Sequence, residues 1–463
     1  MTERSPEAGE QNDNRVEIWT VQEPDSWPTF PSVMSYSVLR DIETCPRRWS
    51  LRRADYSGCW NGRGYPGAPA FGTIEGQLVH ASLERIVKTA GAVEDARDTK
   101  GDGHNASDLA SAHKPIHDVI ESLRRLGGIT PVLSAELATL VTTWKSNPRM
   151  RHRVREWEAE LQRRLPTLRQ RVQTMLSNAT VSSTSRNQTT AVSKSADDGP
   201  GSGSTKRQPL GAGLFAEVSL NHLELGWYGK ADLLGVDVPL RLVESTGETG
   251  CTITDFKTGV QKDDHALQLR IYALLWARDR AINPSGRRAK RLTIVYPASV
   301  IPVAPPEGEA ALTDLESELR SRTNLAKLAI GKSPPEARPS CDACEWCDVK
   351  HMCDVFWSGA LAGVTSLSTN QNHLCDAEVR VVSKRSPGSW LAKITASPGV
   401  DRRVSVGATT LVRARAQDVH VSEILRPGER ARLVGAQLLP GEEESKHMTV
   451  LTLGRSSEAF AVV

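Results

Sequence analysis

The periodicity of the chain changes once, near residue 213, and that change limits the folds open to it. From Pro115 to about Leu176, apolar residues recur at helical spacing, with many arginines on one side of each segment. From Leu214 onward, short alternating runs take over. Residues 177–213, between the two, are rich in Ser, Thr, Gly and Asp and lack the apolar side chains a core needs. They read as a disordered linker. Leu214–Glu224 and Trp227–Val236 read as a hairpin turning at Gly226, and Leu240–Ser245 as a further strand. Thr252–Lys257 is a short strand ended by Thr258-Gly259, His265–Asp279 a helix, and Leu292–Tyr296 another strand. Thr313-x-x-Glu316 reads as a capping box opening a helix to about Ile330. Strands interleaved with helices predict an α/β core with a central sheet flanked by helices.

The ends of the chain have their own texture. Residues 1–33 carry little periodic pattern and read as a disordered tail. Ser37 is a good cap for a helix whose apolar face uses Val38, Leu39 and Ile42, and Cys45-Pro46 interrupts it. A second helix runs from Gly76 to Thr89, with His80 and Glu84 on one face. Residues 367–463 alternate in five short runs: Glu378–Ser383, Trp390–Thr395, Thr409–Arg415, Ala431–Leu438 and Met448–Leu453. They predict a small all-β barrel, OB-like in type. Such barrels bind single strands, and Trp390 with Lys384, Arg385 and Lys393 would serve that, though a structural or protein-binding barrel fits as well. With 463 residues, two or three domains are expected.

Chemistry concentrates in Asp255-Phe256-Lys257. Residues two apart in a strand share a face, so Asp255 and Lys257 project together at a strand end. A carboxylate there can hold Mg²⁺ or Mn²⁺, and a lysine beside it can orient water and offset phosphoryl charge. Alone, such a pair is more often a solvated edge; its company changes the reading. Asp232, in Tyr228-Gly229-Lys230-Ala231-Asp232, puts a second carboxylate on an adjacent strand. Gln268 and Tyr272 lie four apart on the next helix, with His265 three residues earlier. The apolar face of that helix is Leu267, Ile271 and Leu274, which turns the polar stripe away from the core.

Four cysteines, Cys341-x2-Cys344-x2-Cys347-x5-Cys353, form the other constellation. Either these four bind one structural Zn²⁺, or Cys45 joins three of them around an iron–sulfur cluster. Cys59, Cys251 and Cys375 have no partners at ligand spacing and read as ordinary apolar residues.

Taken in order, Cys45-Pro46, Gly76-x-x-x-His80, Gly229-x-x-Asp232, Asp255-Phe256-Lys257, Gln268-x-x-x-Tyr272 and the terminal cysteines resemble the PD-(D/E)xK nucleases, in their RecB-like, AddB-like branch. The resemblance covers about residues 34–357 and implies a restriction-endonuclease-like nuclease domain over 34–360, with a helical insertion at about 105–176. It implies that His80, Asp232 and Asp255 ligate the metal with the Phe256 carbonyl assisting, and that Lys257 is the catalytic lysine. Gln268 and Tyr272 would contact the DNA backbone or support the site, and Glu217 stands where many relatives carry a strand glutamate. For the cysteines the resemblance favours a 4Fe–4S cluster on Cys45, Cys344, Cys347 and Cys353, leaving Cys341 surplus.

The activity implied is a Mg²⁺- or Mn²⁺-dependent deoxyribonuclease, an exonuclease on DNA ends or single strands, serving DNA repair or anti-phage defence. The alternative is a non-catalytic DNA-binding or scaffold subunit of a helicase–nuclease or defence complex. Gly199–Lys206 has the wrong order for a phosphate loop, so a helicase would be a separate chain. Arg151–Arg155 and Arg163–Arg171 would track phosphates if not merely solvated. A net charge of +3 neither demands nor excludes nucleic acid. The polar, acidic first residues and the lack of a long apolar run predict a cytoplasmic protein with reduced cysteines and no membrane span.

Overall fold

The computed structural model describes residues 18–57, 59–98, 114–181, 207–239, 249–359, 361, 374–398, 404–415, 419–439 and 448–463. Strands β1 (Gly213–His222), β2 (Trp227–Pro239), β3 (Thr249–Phe256), β4 (Ala289–Val295) and β5 (Val300–Val303) form one mixed sheet in that order. The β1–β2 hairpin is antiparallel, as its alternation predicts. β3 and β4 are parallel. A parallel pair needs a crossover, and α7 (Asp264–Arg278) supplies it.

Helices cover both faces of this sheet. On one side α1 (Tyr36–Thr44), α7 and α8 (Gly308–Ile330) bury Leu39, Leu274, Trp276 and Leu315 against Leu234, Ile253 and Leu292. On the other, α3 (Phe71–Asp98), α5 (Ile129–Ser146) and α6 (Val154–Val181) pack Leu78, Leu133 and Leu161 around Leu233, Phe256 and Val295. The helical insertion thus extends the second layer, with α4 (Lys114–Arg125) leading into it. Two buried layers on one sheet are what an α/β chain needs to hide both faces.

Several local expectations shift. Ser35, not Ser37, caps α1, its hydroxyl accepting the Val38 N–H at 3.3 Å. Cys45 is extended and Pro46 opens α2 (Pro46–Arg53), so the break falls where proline requires it. Thr313 and Glu316 do not open a helix: α8 starts at Gly308, and Thr313 Oγ1 donates back to the Glu309 carbonyl inside it. α7 is buried on more than one face, because it lies between the sheet and α8. Leu240–Ser245 and residues 182–206 lie outside the described residues, while 177–181 belong to α6.

The C-terminal segment closes a five-stranded barrel. β6 (Leu374–Ser386), β7 (Ser389–Ala396), β8 (Thr409–Arg413), β10 (Thr449–Thr452) and β9 (Arg430–Leu439) follow one another around it, and β9 returns to β6. β8 and β10 run parallel, and a short helix (Val419–Ile424) lies between β8 and β9 in sequence. A sixth strand, β11 (Glu458–Val462), lines up on β9. Trp390, expected on a binding surface, is only 1% exposed and fills the barrel core. Residues 18–33 are not a loose tail: Ile18 and Trp19 are buried in that core, and Ala461 exchanges backbone bonds with Trp19 and Val21. Residues 1–17 lie outside the described set.

The barrel shares its core with Leu51, Tyr56, Tyr65 and Met352 of the preceding region. A buried ion pair ties it to the helical insertion. Arg149, in the turn between α5 and α6, grips Glu458 with two bonds, Nε to Oε1 at 3.1 Å and Nη2 to Oε2 at 2.6 Å. Its Nη1 donates to the Pro66 carbonyl at 2.9 Å. Burial would push the Glu458 carboxyl up, but Arg149 and Arg153 outweigh it and hold it down at about 2. Removing one partner strands a buried charge. Arg149→Met should therefore cost about 3–5 kcal/mol in chemical denaturation, and a change below 1 kcal/mol would refute that role.

Candidate active site and cysteine cavity

The end of β3 is where both helical layers meet. Asp255 is 2% exposed and Lys257 follows it on the same face. Lys257 Nζ lies 2.8 Å from Asp255 Oδ2 and donates to Gln268 Oε1 at 2.8 Å. Gln268 Nε2 then donates to the Tyr272 hydroxyl at 2.7 Å. The i, i+4 spacing on α7 thus becomes a relay holding the lysine. Burial pushes the Asp255 carboxyl up to about 7, and the nearby Asp232 charge adds to this, while Lys257 opposes it. The Asp255 Oδ2 contact lacks hydrogen-bond geometry, so this buried oxygen keeps unused acceptor capacity.

The opposite layer contributes a second group. His80, from α3, places Nε2 at 3.1 Å from Asp232 Oδ1. Asp232 Oδ2 accepts the Phe256 N–H at 2.7 Å, which locks β2 to the end of β3. Ligand atoms of His80, Glu217 and Asp232 all lie within 4.8 Å of one another. Among the described residues, no other such group of three occurs. Asp255 stands outside this trio. Its partner is Lys257, while the Phe256 N–H goes to Asp232.

Glu217 reaches the trio through an unusual backbone. Its φ is +55°, a conformation costly for a residue with a Cβ. The ladder is interrupted there, between the pairs Ala216–Leu233 and Val218–Ala231. Lys230 Nζ pairs with Glu217 Oε2 at 2.5 Å and stands 3.8 Å from Glu84 Oε1. The hydrogen bond that His80 donates to Asp232 is the chief reason the imidazole is raised to about 9, against the opposing effect of burial. The carboxylates thus hold a proton on His80. Lys230 was not singled out by sequence reasoning, although it stands two residues before Asp232; the pairing across β1 and β2 is what brings it in.

Two glycines of the ordered motifs have steric reasons. A Cβ on Gly229 would sit 2.8 Å from Tyr272 Cε1 and 2.9 Å from Leu275 Cδ1. A Cβ on Gly76 would sit 2.6 Å from Thr258 Oγ1. They let α7 and α3 approach the strands closely enough for their side chains to meet. His265 does not join: its Nδ1 bonds the Tyr296 hydroxyl at 2.7 Å, and both are buried.

A separate cavity is lined by Cys45, Cys344, Cys347 and Cys353, with Arg47, Arg48, Arg338 and Lys350 around them. Cys341, in the short helix α9 (Cys341–Glu345), does not line it. Burial is the main cause that raises the thiols of Cys344, Cys347 and Cys353, with Cys347 pushed up to about 12. Thiolates would persist there only with cationic compensation. Cys59 and Cys251 lie in the hydrophobic cores, as read.

Comparison with known proteins adds one assignment. A family model for the PD-(D/E)XK nuclease superfamily matches residues 33–354. No curated protein matches the chain. Among solved structures, the crystal structure of the tetrameric p202 HIN2 is similar at 21% identity over 19% of this chain and 42% of that chain, with a TM-score of 0.14. No described helix is long and apolar enough to cross a membrane.

Gly229→Ala should push Tyr272 off the relay. Nuclease activity should fall about tenfold to a hundredfold, as for other sub-ångström displacements at reacting groups, with the circular dichroism spectrum unchanged. Full activity would show that the close approach does not matter.

Proposed function

Because the chain belongs to the PD-(D/E)XK nuclease superfamily, we propose that it is a divalent-metal-dependent deoxyribonuclease, an exonuclease acting on DNA ends or single strands. The observation that carries this reading is the buried Asp255–Lys257 pair beside the His80–Glu217–Asp232 trio. The donor set fits Mg²⁺ or Mn²⁺: carboxylate oxygens and one imidazole, with spare acceptor capacity on Asp255 Oδ2. His80, Asp232 and Asp255 would hold the cation, with the Phe256 carbonyl assisting and Glu217 as a further carboxylate close by. A bound divalent cation supplies Lewis-acid polarisation of the phosphate and acidifies water.

The protein's own groups do the rest. Lys257 carries a fixed positive charge to the end of β3, where it offsets charge developing on the phosphoryl oxygens and orients the attacking water. Gln268 and Tyr272 keep that ammonium from swinging away. Lys230 balances Glu217. The intact set speaks against a scaffold subunit. Asp255→Asn and Lys257→Ala should each lower hydrolysis of end-labelled single- and double-stranded DNA by roughly 10²–10³-fold or more. Equal activity in all three proteins would end the catalytic reading, and separate 5′ and 3′ labels would test exonuclease action.

The cysteine cavity supports a structural 4Fe–4S cluster on Cys45, Cys344, Cys347 and Cys353, the arrangement of the RecB-like, AddB-like branch. One zinc would hold its sulfurs about 3.8 Å apart, from Zn–S bonds of about 2.3 Å in a tetrahedron. Among the described residues no three cysteine sulfurs gather within 4.8 Å, which favours the larger group. Anaerobically purified protein should absorb broadly in the visible, and Cys45→Ser should lose that band while Cys341→Ser keeps it. Stoichiometric zinc without the band would reverse the assignment. The closed barrel is read as OB-like, a fold that takes oligonucleotides. A role in DNA repair or anti-phage defence, in the cytoplasm and beside a separate helicase chain, follows from the same family reading.

A further inference from the structure

Two arginines of the helical insertion, Arg163 and Arg164, differ in one respect from the cations of the barrel. Arg163 and Arg164 on α6 are neutralised by Glu160, and Arg164 also by Glu75. On the barrel, Arg380, Lys384, Arg385, Lys393 and Arg413 are exposed, and no described carboxylate lies within ion-pair distance of any of them. Arg380 on β6 sits directly opposite Lys393 on β7. Like charges facing each other across strands destabilise a sheet. Arg380 donates to the Gly428 carbonyl at 3.1 Å and Lys384 lies over the Trp390 ring, but the core itself is made by Val379, Val381, Ala392 and Ile394 on the alternate face.

Their arrangement is ordered. Outward positions on β7 and β8 place Leu391 opposite Leu411, with Lys393 two residues beyond the pair on β7 and Arg413 two residues beyond it on β8. Along the strands this brackets the leucine pair by cations roughly 13 Å apart. Arg380 reinforces the Lys393 end, while Lys384 and Arg385 lie toward the β6–β7 turn, where Ser389 meets Arg413. Val382 is the extra residue in a β6 bulge and is 54% exposed, widening the apolar strip. An apolar platform between two cationic ends that have no carboxylate partner among the described residues suits a strand whose bases are unstacked and whose phosphates are continuous.

We propose that this outer face of β6, β7 and β8 binds single-stranded nucleic acid, with phosphates on Arg380, Lys393 and Arg413 and bases resting on Val382, Leu391 and Leu411. The interaction is sequence-independent, because no described hydrogen-bonding pattern on the face reads base edges and Trp390 is buried beneath it. It extends the DNA-substrate reading above but not the catalytic one. A duplex hides its bases and gains only from the cations.

Binding of a labelled oligothymidylate is measured by anisotropy in EDTA, so that cleavage plays no part. Arg380→Gln with Lys393→Gln should weaken binding at least tenfold and lower the slope of log Kd against log salt by about 1.4, two single-strand phosphates' worth. Arg380→Glu with Lys393→Glu should weaken it further, and Arg163→Glu should leave it unchanged. Unchanged affinity and slope in both double variants would overturn the proposal. An equal loss on a blunt duplex of the same length would remove the single-strand assignment. Lost affinity for polyglutamate with oligothymidylate binding intact would assign the face to an acidic protein and overturn it too.

Discussion

A carboxylate with almost no water around it sets the terms for the nuclease core. Asp255 is 2% exposed, and an uncompensated charge at such depth costs several kcal/mol. Lys257 offsets it from the same strand, and that ammonium needs Gln268 to stay in place. Gln268 in turn leans on Tyr272, which fits only because residue 229 has no side chain. Asp232 brings a further negative charge, so His80 retains a proton and Glu217 takes Lys230. Each group is where it is because another would otherwise be stranded. Protons and ammonium groups thus offset the carboxylates gathered at this end of the sheet.

Much of this was readable before any coordinates. The two-residue repeat put Asp255 beside Lys257, and the four-residue repeat put Gln268 beside Tyr272; both hold. Those signals are local, and local geometry needs no tertiary knowledge. Glu217 was legible only through the resemblance, as a strand glutamate where many relatives carry one. Its entry into the trio depends on a left-handed backbone at one position and on register with β2, and neither leaves a mark in composition. Lys230 was hidden for the same reason.

The barrel shows the opposite kind of failure. Its strands were legible from alternation, but alternation alone does not say which face is inward. Trp390 alternates with Leu391, and the larger aromatic goes to the core while the leucine stays on the outer face. The order of residues 19–21 was unreadable because their partner, β11, lies at the far end of the chain. The supposed capping box failed because Thr313 and Glu316 also satisfy ordinary helix-interior roles, and α8 had already begun.

The contact between Arg149 and Glu458 bears on how the chain can be divided. Residues 33–354 match the nuclease family by themselves. Yet Leu51, Tyr56, Tyr65 and Met352 have their apolar surface covered by barrel residues, and Arg149 has its counter-charge on β11. A chain cut after residue 354 would expose that surface to water and leave a guanidinium buried among carbonyls and rings. The region matched by the family therefore ends inside a core that it shares with the barrel. The matched region and the barrel share one hydrophobic core and one buried ion pair, so the barrel is a wall of that region and not a tethered accessory.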